Sequence, residues 1–482
     1  MKKVIFTIIA TFVALVLINL ALNEPLSSEY ITFWYLVALS FLITGVIGLV
    51  LGFIREKESY LCFGIAGTLF VVVTAINSDF ATSDRLAKML KSEEVKKESL
   101  IFDRHRAVTK AMAFKMANKI IGKKYNGVQI SSQYEINRNM SSIQLVRNEL
   151  VWVMPLDYSG FSKWLKQDSI PGYIIVSATN PTAVPELKVG EKYEMKYSDN
   201  AYFMENVERR VYFKTGLKET ETHFEIDNQG KPWFISLVLE PTIVFSGKKT
   251  SSVIITDPKT GKMKEISFED ILNNPKYQWI DRLQSENQID RQIHWYGKYL
   301  EGFWNTWFGG ENINKPTNYN GRELWIAHVN GRQVFFTGMT SENNKDQSLV
   351  QGITVDTRTG EAKSFDLSGV MDEAGAISVL DAALGVNSTK WQPVLPQPVI
   401  KNGVFYWGAS IVSNNNIYQM IGVVNGENQA ETFFGKTFKE ATAKIGSTKS
   451  VEGEEEYVKV KKSVYLKILQ HIEALEELKK QF

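Results

Sequence analysis

The chain has 482 residues, with 55 Lys and Arg set against 53 Asp and Glu for a formal net charge of +2. That balance removes any general case for nucleic-acid binding, which needs a basic face to neutralise phosphates. The single cysteine, Cys62, excludes an internal disulfide framework and any site built from several thiolates.

Three apolar runs open the sequence, at 4–22, 31–54 and 60–76, and none contains Asp, Glu, Lys, Arg or His. A helix needs about 20 apolar residues to cross ~30 Å of hydrocarbon, so the runs predict three transmembrane helices. Lys2 and Lys3 precede the first run, and Arg55 and Lys57 separate the second from the third. The connection at 23–30 carries Glu24 and Glu29 and no basic residue. The positive-inside rule places the N-terminus and the 55–58 turn in the cytoplasm and everything after Asn77 outside. The first run also resembles a signal peptide, but its length and the lack of a small-x-small site behind it favour a retained helix. Without intramembrane charge the helices read as an anchor, not a transport path. Gly45, Gly48 and Gly52 would let backbones approach closely, either inside this bundle or against a second copy.

Residues 78–122 predict a helical stalk. Leu86, Met89 and Leu90, then Val108, Met112 and Met116, fall at amphipathic spacing, and EEVKKE at 93–98 reads as a solvated face.

Beyond about residue 148 the pattern becomes strands, and it repeats. DNQGKPWFI at 227–235 is followed by VIITDPKTGKMKEI at 253–266. NGRQVFF at 330–336 precedes ITVDTRTGEAKSF at 353–365, and NGVFYW at 402–407 precedes IGVVNGENQAETFF at 421–434. A fainter copy pairs NELVWVMPL at 148–156 with YIIVSATNPTAV at 173–184. Gly230, Gly331 and Gly403 sit at entry turns, and Asp257 with Gly261 and Asp356 with Gly360 at exit turns, where positive φ and Asx turns close hairpins. Helical stretches at 370–384 and 437–445 intervene, the first with Ala376, Ile377, Leu380 and Leu384 on one face. A helix laid over a small antiparallel sheet buries both, so the fold class is α+β.

The expected organisation is a three-helix anchor (1–77), the stalk (78–122), two repeats (123–320), two more (321–447), and a linker with a C-terminal amphipathic helix (448–482). In that last helix Ile468, Ile472 and Leu475 share a face that could pair with a second copy or a partner, or dock on its own domain.

The strand, Asp-x-x-Thr-Gly, strand pattern at 253–266 and 353–365, with its accompanying helices, resembles the PepSY domain. The chain in outline is similar to bacterial membrane proteins with tandem PepSY-like extracytoplasmic modules, and to the PepSY-bearing partner of a spore-germination hydrolase. The resemblance implies residence at the bacterial cytoplasmic membrane and inhibition, stabilisation or localisation of a hydrolase, or sensing. It supplies no catalytic residues. Long insertions, chiefly 268–322, depart from the compact module.

The five histidines, at 105, 223, 294, 328 and 471, include no HExxH and no pair at ligand spacing, so neither a metal nor another cofactor is expected. No GxSxG and no phosphate-binding Gly-rich loop occurs. The densest unusual segment is HWYGKYLEGFWNTWF at 294–308, with His294, Trp295, Tyr299, Trp304 and Trp307. It reads as a sugar- or peptide-binding platform or as a surface at the membrane interface. The helical spacing of Tyr296, Tyr299 and Phe303 equally suits core packing. The functional expectation is a membrane-anchored, non-catalytic scaffold that engages lipid and an envelope protein. The alternatives are an enzyme acting on cell-wall or polysaccharide material through 294–308, and a homo-oligomeric membrane subunit.

Overall fold

A computed structural model describes residues 2–52, 54–125, 127–342 and 348–446; the C-terminal helix with Ile468, Ile472 and Leu475 lies outside them. Residues 1–442 pack as one unit.

The apolar runs form α1 (Lys2–Leu22), α2 (Ile31–Leu51) and α3 (Glu56–Ile76), all long and apolar enough to cross a membrane. A Cβ at Gly45 would stand 2.8 Å from the Phe63 ring, and one at Gly48 would overlap Ser59 Oγ. These two glycines therefore let α2 and α3 approach each other. Gly52 instead ends α2 at φ +61° in open space.

The connection at 23–30 is bound to the large domain. Leu26 N donates to Leu217 O (3.0 Å), Tyr212 Oη donates to Glu24 O (2.5 Å), and buried Tyr30 donates to Leu239 O. At the end of α3, Asn77 Oδ1 accepts from Ser246 Oγ (3.0 Å). The domain thus sits at the end of the bundle that carries 23–30. The antiparallel course of α2 and α3 puts the Arg55 turn at the other end.

The stretch expected to be a stalk is not one continuous helix. It breaks into α4 (Asp79–Ala87) and a later helix, Lys110–Ile120. Between them Ser92–Glu94 pairs in parallel with 362–364, and Phe102–Asp103 pairs with 328–329, at opposite edges of one sheet. Covering those two edges satisfies backbone groups that would otherwise stay open, and this outweighs the local helical preference of EEVKKE.

Each repeat copy builds its own antiparallel sheet. The first is centred on Glu149–Tyr158 and Gly172–Ser177. The second is a four-strand meander, Glu219–Ile226, Pro232–Ile243, Ser246–Thr256 and Met263–Ser267. The third is centred on Arg332–Ser341, Gln351–Asp356 and Ala362–Asp366, and the fourth is the meander Trp391–Lys401, Val404–Ser413, Tyr418–Asn425 and Thr432–Gly435. The exit turns share one geometry. Asp257 Oδ1 accepts from Lys259 N and Thr260 N, and Asp356 Oδ1 accepts from Arg358 N and Thr359 N. Gly261 and Gly360 follow at φ +68° and +77°. Asn330-Gly331 and Asn402-Gly403 close the entry hairpins with paired positive φ values, as a type I′ turn requires.

Helices cover the sheets. Lys110–Ile120 packs on the first, Glu286–Tyr299 on the third, and Glu373–Ala383, through Ala376 and Leu380, on the fourth. Glu373 itself is buried at the start of its helix, where its Oε1 accepts from Thr317 Oγ1 (3.0 Å).

Candidate functional site: an aromatic cleft rimmed by lysines

Alternation along the second sheet sends Phe224, Phe234, Val238 and Ile254 toward the first sheet. Ile235, Leu237, Val253, Ile255 and Ile266 face the other way and are roofed by residues 268–283. The roof consists of the helix Phe268–Asn273, capped by Ser267, and the turn Pro275–Tyr277, capped by Asn274. At the end of the sheet that carries the 227–231 and 257–262 turns, a cleft of about 530 Å³ opens between roof and strands. That volume lies in the range of ligand pockets.

Trp233, Tyr277 and Trp279 supply its aromatic wall, with Ile255 and Met263 beside them. The two indoles lie 6.2 Å apart at 36°. Trp233 is fixed by Nε1 donating to Asp227 Oδ2 (3.0 Å), and the Lys231 ammonium stands 4.1 Å above its ring. Asp227 is itself held by the backbone N–H groups of Gln229 and Lys231. Burial pushes the Asp257 carboxyl up, but Lys231 Nζ (2.8 Å) and the Thr260 and Lys259 amides outweigh it and hold the group below the usual carboxylate range. Both acids in the wall are therefore committed to fixing turns. Lys262, Lys264 and Lys276 line the opening exposed and unpaired with any carboxylate among the described residues; Lys264 Nζ donates to Tyr277 Oη (2.9 Å). The lining holds no Ser, Cys or His. Such a lining offers ring surface to a flat apolar group and ammonium charge to a negative group next to it.

Behind the roof, residues of the first three sheets meet at buried charge. Glu225 accepts from Asp281 N (2.9 Å) and pairs with His223 Nε2 (3.0 Å), while Asp281 Oδ2 accepts from Leu145 N (2.6 Å). Arg358, from the exit turn of the third sheet, donates to Tyr277 O (3.1 Å) and Ile280 O. Burial pushes Glu225 up to about 7 and Asp281 upward, and holds His223 far down, so His223 stays neutral.

The 294–308 segment divides. Tyr299 is buried, and its Oη donates to Asp79 Oδ2 (2.6 Å); Trp295 is half-buried. Trp304 and Trp307 are exposed. His294 turns away from these rings toward Glu323, Nε2 to Oε2 2.7 Å, with Asp290 one turn earlier on the same helix. Candidate ligand atoms of Asp290, His294 and Glu323 lie within 4.8 Å of one another and could hold a divalent cation. Burial, then the Glu323 charge, pushes Asp290 up to about 6. The i,i+4 spacing of Asp290 and His294 was readable in the sequence, whereas Glu323 joins them only through the fold.

No family model, curated protein or solved structure matches this chain.

Proposed function

We propose that this chain is a membrane-anchored extracytoplasmic scaffold that engages an envelope partner, such as a hydrolase, through the cleft of Trp233, Tyr277 and Trp279. The observation that carries the reading is an aromatic wall of ligand size with three lysines at its mouth that pair with no carboxylate among the described residues, and no Ser, Cys or His in its lining. Such a cleft suits an acidic partner segment that also offers an apolar side chain. The anchor supports the place of action: Lys2, Lys3, Arg55 and Lys57 lie at the bundle end remote from the domain, the arrangement that the positive-inside rule assigns to an outward-facing domain. The helix-on-sheet repeats support the PepSY-like reading.

The test is a photo-crosslinking residue at Trp279 in the full-length protein in cells, with one at exposed Val386 as control. A discrete adduct at 279, absent at 386 and lost with Lys264→Glu and Lys276→Glu, supports the scaffold. An adduct equally strong at both positions, or none at 279, refutes it. A smear that disappears on polysaccharide digestion would reassign the cleft to glycan.

A further inference from the structure

We infer that Phe80, Leu300, Trp304, Trp307 and Phe308 form a second membrane contact, set in the lipid headgroup layer beside the exit of α3. The inference rests on the three apolar helices spanning the bilayer and adds a surface that they do not include.

The rings form one continuous patch. Phe80 packs edge-on against Phe303 (5.4 Å between centroids) and Trp304 (5.6 Å), Trp304 stacks on Phe308 (5.7 Å), and Phe303 lies 6.2 Å from Trp307. In a core such a cluster would be covered. Here Phe80 is 63 % exposed, Trp304 59 %, Trp307 70 % and Phe308 81 %, and Leu300 is also exposed. Residues 302–309, GFWNTWFG, carry no charge. Among the described residues nothing covers these faces.

The position of the patch decides its occupant. Phe80 lies in the first turn of α4, four residues beyond the end of α3. Asn77 and Ser78 between the two helices are not helical, so the four residues from Ile76 to Phe80 hold the patch base within about 14 Å of the end of the span. The headgroup layer is about 5–7 Å thick on each side of the hydrocarbon. Tyr299, bonded to Asp79, fixes the far helix to this height. Trp is the residue type that this layer favours, because its ring prefers an apolar contact and its N–H a wet one. Gly302, at φ +87°, turns the chain out of the helix, and Gly310, at φ +65°, closes the following turn.

The experiment places a nitroxide at residue 307 or 308 of the full-length protein, in a Cys62→Ser background, in nanodiscs of mixed zwitterionic and anionic lipid. Collision with oxygen and with a water-soluble nickel chelate is compared with that of labels at Leu49, in α2, and at exposed Val386. The expected result is oxygen preference at 307 and 308, intermediate between the lipid-like Leu49 and the aqueous Val386. A label at 307 that behaves like Val386 while Leu49 reads as lipid overturns the inference and leaves the anchor standing. An aqueous signal at Leu49 overturns the anchor and the inference with it. In native membranes, a 307 label shielded from both reagents would show a protein there instead, which also overturns it.

Discussion

Glu373 offers a quantitative check on the buried electrostatics. It is 1 % exposed, its Oε1 accepts from Thr317 Oγ1, and its Oε2 finds no side-chain partner among the described residues. Burial, ahead of every favourable contact, pushes its carboxyl up to about 7. Because the folded value exceeds the unfolded one, near 4.3, the group's contribution to stability is whole at low pH and fades as pH rises through 7. Replacement by Gln keeps the size and the acceptor but removes the ionisation. At about 1.4 kcal/mol per pH unit, the stability gap between Glu373→Gln and wild type should widen by about 3 kcal/mol from about pH 4.5 to about pH 8.5, in favour of the variant. That corresponds to a relative rise in Tm of about 3 °C for a chain of this size. Tryptophan fluorescence of the nanodisc-embedded protein during heating reads it directly. A gap that stays constant with pH would mean that Glu373 ionises freely in the folded state, and the desolvation reasoning would be wrong.

Arg358→Ala should cost about 3 kcal/mol, because it leaves the Tyr277 and Ile280 carbonyls without their donor and removes one of the two arginines, with Arg282, that act on the buried Glu225–Asp281 region. Chemical denaturation would show it, with the Trp279 environment changing first. Gly48→Leu should lower thermal stability by forcing α2 away from Ser59, while the mass in detergent by light scattering stays unchanged. A change in mass with no loss of stability would instead favour the self-pairing role of this glycine. Tyr30→Phe removes the bond to Leu239 O and should cost about 1 kcal/mol in the same thermal assay.

The three apolar helices and the four sheets were legible because their signals are local. Unbroken apolar runs and Asx-Gly turns need no tertiary information to act. The 92–103 segment was not, since Ser92–Glu94 becomes a strand only by meeting a sheet edge some 270 residues later in the chain. The cleft was missed for a similar reason: Trp233 belongs to a strand, Trp279 to a roof with no regular pattern, and only their meeting makes a wall. In the Trp-rich stretch helical spacing correctly marked Tyr299 as buried. It failed beyond Leu300, where the helix ends and the same spacing no longer describes one face.

A domain on a loose tether sweeps a hemisphere and meets partners at many distances. The bonds from Leu217, Tyr212 and Leu239 to residues 23–30, with those at Asn77 and Asp79, leave this domain no such freedom. On the function proposed above, the cleft would be held at one altitude above the bilayer, and a partner would have to present its segment at that height. For a partner that is itself rooted in the membrane, this acts as a ruler. Binding is confined to a thin layer, in which a weak contact gains effective concentration and a mismatched reach gains none.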